Sequence, residues 1–178
     1  LQNWSYSSMG LLMRNPLSFK KKYMLRIFDD LYSPSGLVGQ ACHKVVEGVL
    51  KGLPRQAAYD DGLAILTRTP DTAIEFGKTG SREKMLKDFT AGMQFYFEEM
   101  PDWKSREVLL VEPSLTHHIS NGEGVEFPIP AKCKSDVVWR TKAQVVFAAT
   151  AYPKGTVFIE DHKFVSSFTD AEDDDPSR

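Results

Sequence analysis

Apolar side chains recur at helical spacing over the first thirty residues. Ser5 and Ser7 can each cap a helix in this stretch, and Pro16 lies in the middle of the pattern. Serine favours the N-cap position of a helix, and proline favours its first turn. We therefore predict two short helices, the second of which begins near Pro16.

A longer periodic segment follows at residues 33–53, with apolar side chains at every fourth position. Serines precede this pattern as caps, and a glycine and a proline follow it as helix breakers. The segment therefore predicts a helix of about four turns. His43 and Glu47 are four positions apart, so they share one face of this helix.

Residues 55–80 are rich in turn residues and poorly periodic, apart from a short apolar piece at residues 62–66. This composition predicts a turn-rich connection. In residues 81–100, apolar side chains again recur every four positions, with Ser81 as the cap and Pro101 just after the pattern. This predicts a further long helix.

The pattern changes to that of strands after residue 105. Residues 106–120 and 123–140 are joined by Asn121-Gly122, a strong hairpin-turn signal. Residues 155–164 predict a third strand, and residues 141–152 are compatible with a short helix or a strand. Helices followed by a meander of about three strands predict the α+β class, with the helices covering one sheet face.

Composition favours one globular domain. The chain has 178 residues, 42% of them hydrophobic, so it can bury one core, and we expect a single domain over residues 1–178. No apolar run is long enough to cross a bilayer, and the first residues do not read as a signal peptide. We therefore expect a cytoplasmic protein with no membrane partner.

Charge is distributed unevenly along the chain. The net charge is −2, and residues 169–178 contain five acidic residues and one arginine. The rest of the chain therefore carries a small excess of positive charge. We expect a mildly basic body and an acidic, mobile tail at residues 169–178.

Ionisable residues cluster at the end of the last predicted strand. Side chains alternate across a strand, so Asp161 and Lys163 share one face, while Glu160 and His162 share the other. Asp136 lies on the preceding predicted strand. If the strands pair so that Asp136 and Asp161 share a face, the two carboxylates form a site for Mg²⁺ or Mn²⁺. We expect a structural role for Glu160.

This set of groups suits the attack of water on a phosphodiester. A divalent metal neutralises charge on the scissile phosphate and lowers the pKa of a bound water, and a neighbouring lysine can orient the nucleophile. His43, delivered from its helix, could complete the metal shell.

Four strings of the sequence resemble the PD-(D/E)xK nuclease superfamily, and within it the RecB-like exonuclease group of bacterial and phage enzymes. They are WSYSSMGLLMRNPLSFKKKYM, GQACHKVVE, VEPSLTHHI…IPAKCKSDVVWR and GTVFIEDHK, in this order. The resemblance implies a restriction-endonuclease-like α+β fold, with N-terminal helices packed on a small mixed β-sheet that carries the active site.

The resemblance also implies roles for individual residues. His43 matches the helical metal ligand of the family, and Asp136 matches the aspartate that opens the superfamily signature. Asp161 matches the second acidic ligand. The main-chain carbonyl of His162 would also face the metal, and Lys163 would be the catalytic lysine.

Two glutamates are candidates for accessory roles at this site. Glu112 falls where many relatives have a strand glutamate. Glu47 shares a helix face with His43, although a solvated or salt-bridging residue explains it better.

A basic run near the N-terminus alternates with aromatic residues. Its cations are Lys20, Lys21, Lys22 and Arg26. Together with the aromatic side chains they can follow a DNA backbone, and a solvated helix face over an aromatic core stripe explains the run about equally well.

The chain departs from the family pattern in two respects. Relatives with an iron–sulfur cluster have a cysteine before the first-helix proline, whereas Arg14-Asn15 precede Pro16 here. The two cysteines, Cys42 and Cys133, cannot supply four cluster ligands, so we expect no cluster and reduced, packed thiols. Relatives also continue into a Q-x-x-x-Y helix and a last strand, and we therefore expect the chain to be a piece of a longer product.

The function implied is that of a Mg²⁺- or Mn²⁺-dependent deoxyribonuclease. An exonuclease in recombination, repair or phage DNA processing is the first expectation, with DNA as substrate and a helicase, recombination or phage replication protein as partner. The alternatives are a structure- or sequence-specific endonuclease of the same fold and a non-catalytic DNA-binding module.

Overall fold

Helices precede strands along the chain, as the sequence pattern predicts. A computed structural model describes residues 2–78, 80–99, 105–147 and 149–164. Within these ranges, five α-helices come before seven strands, which confirms the α+β class. The acidic segment 169–178 lies outside the described residues.

The chain divides into two compact units. The first contains Leu1–Asp30 and Trp103–Asp161, and the second contains Leu31–Asp102 and His162–Arg178. The expectation of a single domain over residues 1–178 stays a prediction.

The first unit contains two short helices and all the named strands. The helices are α1 (Tyr6–Arg14) and α2 (Pro16–Phe19), and a π-helical turn (Lys20–Met24) follows α2. The strands are β1 (Arg106–Val111), β2 (Ser114–His117), β3 (Ala131–Lys134), β4 (Val137–Thr141), β5 (Val145–Phe147), β6 (Thr150–Tyr152) and β7 (Val157–Glu160).

The predicted helix starts in the first unit are confirmed. The Ser5 hydroxyl accepts from the Ser8 amide at 3.2 Å, and the Ser8 hydroxyl accepts from the Ser5 amide at 2.8 Å. This reciprocal pair satisfies two amides at the beginning of α1. Asn15 caps α2 by accepting from the Ser18 amide at 3.0 Å, and Pro16 occupies the first turn.

The strands of the first unit form a long, interrupted hairpin. β1 pairs with β4, β2 pairs with β3, and β7 adds to the free edge of β4, so the three-stranded sheet has the order β1-β4-β7. At the predicted turn, the Asn121 side-chain oxygen accepts from the amides of Glu123 and Val125 at 3.0 and 2.9 Å. This confirms the hairpin signal at Asn121-Gly122.

All named strand pairs are antiparallel, so the mixed sheet that the resemblance implies is wrong for the described residues. Short hairpin connections produce antiparallel pairs, whereas a parallel pair needs a long crossover. The parallel pairings in the described residues are two isolated bridges, Trp4 with Ala131 and Tyr32 with Ile74. The ambiguous segment 141–152 is a strand hairpin, β5 with β6.

Trp139 is the centre of side-chain packing on one face of the three-stranded sheet. It is almost fully buried, its ring stacks on Phe158 at 4.6 Å, and the Arg106 guanidinium lies 4.0 Å from its ring centre. Its indole N–H donates to Glu160 at 2.8 Å, and Arg106 pairs with the same carboxylate at 3.3 Å. Glu160 therefore has the structural role that the strand pattern predicts.

The second unit is built on three long helices. They are α3 (Pro34–Leu50), α4 (Arg55–Arg68) and α5 (Arg82–Glu99), with a 3-10 turn (Asp71–Ala73) between the last two. Ser33 caps α3 and Ser81 caps α5, as predicted. Arg82 ties the end of α4 to the start of α5, because its guanidinium donates to the carbonyls of Leu66 and Thr69 and pairs with Asp71.

Helix α4 contradicts the predicted turn-rich connection at residues 55–80. Its buried positions are Ala58, Gly62 and Leu66, so two of the three contact residues are too small to produce a visible apolar period. Small residues allow α4 to approach α3 closely. A Cβ added at Gly62 would lie 2.6 Å from the Ala41 carbonyl oxygen and 2.5 Å from a Val45 methyl group.

Replacing Gly62 with alanine is expected to destabilise the fold by about 2 kcal/mol, because the clash with the α3 backbone outweighs the better helix propensity of alanine. Gly39→Ala in α3 is the matched control: its Cβ would meet no atom within 4 Å, so we expect a gain of about 0.5–1 kcal/mol. Urea unfolding curves measure both. A Gly62→Ala protein as stable as Gly39→Ala would contradict the close approach.

Candidate metal centre

The long hairpin is interrupted at Glu112-Pro113 on one side and at Ser135-Asp136 on the other. Glu112 has φ = 54°. This left-handed conformation is energetically unfavourable for any residue other than glycine. Its amide donates to the Asp136 carbonyl at 2.8 Å, and the Asp136 amide donates to the Glu160 carbonyl at 3.2 Å. The backbone hydrogen bonds therefore continue through the interruption while the side chains change direction. Strained residues of this kind concentrate at functional sites.

The interruption brings two carboxylates together. A carboxylate oxygen of Glu112 and one of Asp136 lie within 4.8 Å of each other, and both side chains are partly buried. The Lys134 ammonium pairs with Glu112. Two partly buried carboxylates repel each other unless a cation lies near them, and hard oxygen donors of this kind suit Mg²⁺ or Mn²⁺. The donor chemistry therefore fits the predicted metals.

Asp136 and Asp161 lie at the same end of the β4–β7 pair, since one directly precedes β4 and the other directly follows β7. The last pair of the β4–β7 register is Val137 with Glu160, and the Asp136 amide also donates to the Glu160 carbonyl, so the regular register ends before Asp161. Asp161 is exposed and follows the end of β7. Among the described residues, the carboxylates of Glu112, Asp136 and Asp161 do not all lie within one close group. That the carboxylates of Asp136 and Asp161 share one face stays a prediction.

Lys163 and His162 lie just beyond β7 in irregular chain. The Lys163 side chain is exposed, and the His162 ring packs edge-on against Tyr96 with 6.0 Å between ring centres. The orientation of the His162 side chain toward Tyr96 agrees with the alternation that separates it from Asp161 and Lys163. The metal role of its main-chain carbonyl stays a prediction.

His43 lies in the middle of α3, next to the buried Cys42. Its ring is partly buried and meets the ring of Phe164 edge-on, with 5.4 Å between centres and 84° between planes. The position on α3 is as predicted, and the ligand role stays a prediction.

Glu47 is engaged in ion pairs along α3. Its carboxylate pairs with Lys51 one turn later and with Lys44 at 3.2 Å. The Lys51 hydrogen bond, followed by that of Lys44, holds the Glu47 pKa below its ordinary value of 4.5. These contacts favour the salt-bridging alternative over an accessory site role.

We expect Glu47→Gln to lower the stability at pH 7 by roughly 0.5–1 kcal/mol, since two helical ion pairs are lost. Because the folded-state pKa is depressed, this stabilisation is present above pH 4.5 and disappears as the pH falls through the lower folded pKa. Thermal unfolding at several pH values measures the effect. In a Lys51→Ala background, Glu47→Gln should lower the stability by less, because one ion pair is already missing. An equal loss of stability in that background would contradict the Glu47–Lys51 ion pair.

The residues of the basic run near the N-terminus differ in their contacts. Lys21 pairs with Asp29 and, at 3.7 Å, with Asp30, and these contacts raise its pKa and lower that of Asp29. Phe19 is buried and stacks with Trp4 at 5.8 Å, as a core stripe would. The alternative of a solvated helix face over an aromatic core stripe therefore holds for part of the run. The predicted phosphate contacts of Lys20, Lys22 and Arg26 stay predictions.

The two cysteines differ in environment. Cys42 is buried in α3, and burial raises the pKa of its thiol to about 12. Cys133 on β3 is exposed, so the expectation of a packed thiol is wrong there, because β3 buries none of its side chains fully.

Two features of the centre were not predicted. They are the left-handed backbone at Glu112 and the Lys134–Glu112 ion pair. The Glu112-Pro113 step was a usable signal, because proline inside an apparent strand marks a bulge or an interruption.

Two further findings on this chain are negative. In the described part of the chain, no helix combines the length and apolar character needed to cross a membrane. Comparison with protein-family models, curated proteins and solved structures gives no match to this chain.

Proposed function

We propose that this chain is a divalent-metal-dependent deoxyribonuclease of the RecB-like type with a restriction-endonuclease-like fold. The observation that carries the proposal is the position of Asp136. It immediately precedes the buried strand β4, has a second carboxylate within 4.8 Å, and its amide donates to the carbonyl of Glu160, the residue before Asp161. A D-x-K pair at the end of the neighbouring strand completes the set that phosphodiester hydrolysis needs.

Asp136 and Asp161 would hold Mg²⁺ or Mn²⁺, with His43 and the main-chain carbonyl of His162 as the further ligands that the resemblance implies. Glu112 offers another oxygen donor beside Asp136. The metal, when bound, neutralises phosphate charge and makes a bound water a better nucleophile. Lys163 would orient the attacking water beside the scissile phosphate.

DNA is the proposed substrate. The N-terminal cations offer sequence-independent phosphate contacts, and an exonuclease in recombination, repair or phage DNA processing fits them. A cytoplasmic location and a helicase, recombination or phage replication partner belong to this proposal.

The test is cleavage of linear and of covalently closed circular DNA, each with Mn²⁺ and with EDTA. We expect Mn²⁺-dependent loss of the linear substrate and an intact circle, which is the result for an exonuclease. Cleavage of both substrates would indicate the endonuclease alternative. Binding without Mn²⁺-dependent cleavage would contradict the proposal and favour a non-catalytic DNA-binding module.

A further inference from the structure

A pocket of about 390 Å³ lies in the N-terminal part of the first unit. Two cations, Lys22 and Arg26, and two aromatic residues, Tyr23 and Phe28, line it, and its lining includes no acidic residue from the described part of the chain. Its size is at the lower end of the range for small-ligand sites. The chemistry of this lining suits a ligand that is both anionic and planar.

The cations of this pocket are available for a ligand. Lys22 and Arg26 form no ion pair within the described residues, in contrast to Lys21, which directly precedes Lys22. The two acids that follow, Asp29 and Asp30, are both held by Lys21. Lys21 offsets one of their two negative charges, and together with Lys22 and Arg26 it leaves residues 21–30 with a net charge of +1.

Arg26 occupies a position that normally takes glycine. It follows the π-helical turn with φ = 55°, where the amide of the next residue, Ile27, donates back to the Lys21 carbonyl at 3.0 Å. This is the left-handed residue that ends many helices, and glycine is strongly favoured there. Because strained residues concentrate at functional sites, this position favours a use for the Arg26 guanidinium.

The aromatic residues have different surroundings. Tyr23 packs against Phe19 at 5.3 Å, so its ring is held in place. Phe28 is 70% exposed, and its ring faces no other ring within the described residues. An exposed, unstacked ring beside two cations offers a platform for an unpaired base, whose phosphate the cations can bind.

We propose that this pocket binds one nucleotide of single-stranded DNA, with the base stacked on Phe28 and the phosphate held by Lys22 and Arg26. Duplex DNA does not fit the platform, since its bases are already stacked. The inference rests on the proposed function for the choice of DNA as ligand. It goes further by assigning an unpaired strand as the segment recognised and by excluding Lys21 from the contact.

The test is fluorescence anisotropy of the whole chain with a labelled thymidine oligonucleotide in EDTA, where no metal-dependent cleavage interferes. Phe28→Ala should weaken binding about tenfold without changing the salt dependence. Lys22→Ala should weaken binding and reduce the slope of log K against log salt by about 0.7. Phe95→Ala and Lys87→Ala, both exposed on α5, are the matched controls and should bind as wild type.

Arg26→Gly separates binding from folding. Glycine relieves the left-handed strain, so the Tm should equal or exceed that of wild type while binding weakens and the salt slope falls. An oligonucleotide with abasic sites should bind more weakly to wild type and show no further loss with Phe28→Ala. Duplex DNA should be insensitive to Phe28→Ala.

The proposed nucleotide site would be refuted if Phe28→Ala and Lys22→Ala bound the thymidine oligonucleotide as tightly as their controls do. Tighter binding of the matching RNA would also refute it. Cleavage by wild type is measured separately with Mn²⁺. A chain that cleaves DNA but ignores these substitutions overturns this inference alone. A chain that binds through Phe28 and Lys22 but does not cleave overturns the proposed function alone.

Discussion

Asp136→Asn is expected to reduce Mn²⁺-dependent DNA cleavage by about a thousandfold, because the metal's stabilisation of phosphate charge is worth several kcal/mol. The fold should remain intact. The amide and carbonyl of Asp136 make its sheet hydrogen bonds, and the substitution leaves both in place. Asparagine has nearly the same size and shape as aspartate, so the Tm in EDTA should stay close to that of wild type.

Three measurements on one protein preparation check this expectation: the cleavage rate, calorimetric Mn²⁺ binding, and the Tm with and without Mn²⁺. Wild type should gain stability from Mn²⁺, by about 2.7 kcal/mol at a hundred times its Kd, and Asp136→Asn should gain much less. Glu123→Gln in the exposed hairpin turn is the matched control, with the same loss of one negative charge. An Asp136→Asn protein that cleaves and binds Mn²⁺ like this control would refute the metal centre.

Local sequence signals were sufficient for most of the helices. Ser5, Ser33 and Ser81 each cap the helix that they precede, because the capping hydrogen bond is formed within four residues. Helix α4 could not be predicted from the same kind of signal. Its contact with α3 depends on the absence of a side chain at Gly62, and absence leaves no apolar period.

In the candidate site, too, local sequence signals predicted some features, whereas contacts between distant residues could not be predicted. Strand alternation alone separated Asp161 from Glu160, and the observed register brings Asp136 and Asp161 to the same end of the β4–β7 pair. Strand alternation could not predict the approach of Glu112 to Asp136, because this approach depends on a left-handed φ at a non-glycine residue. Such a conformation is imposed by the hydrogen bonds on both sides of it, not by the residue's own preference.

The antiparallel sheet illustrates how a family expectation and a physical argument can diverge. The resemblance implied a mixed sheet, whereas strands that follow one another with no helix between them, as β2 and β3 do and β5 and β6 do, favour antiparallel pairs. The physical argument was already present in the sequence and was correct for the described strands.

Lys163→Ala is expected to lower the rate of DNA cleavage by about a hundredfold to a thousandfold, because a positioned cation acts on the charge that develops during the reaction. Its side chain is exposed and lies outside the named strands, so the Tm should change little. Mn²⁺ binding should also persist, since an ammonium group is not a metal ligand. The expected signature is therefore a lost rate with retained metal affinity, which differs from that of Asp136→Asn.

Lys154→Ala is the matched control, because this exposed lysine precedes β7 as Lys163 follows it. Cleavage rate, Mn²⁺ affinity and DNA affinity in EDTA should be measured for both variants. If Lys163 contributed only general attraction for DNA, both variants would lose DNA affinity alike and the rate at saturating DNA would be retained. A rate loss at saturating DNA that is confined to Lys163→Ala supports its role at the reacting phosphate, and wild-type cleavage in that variant excludes it.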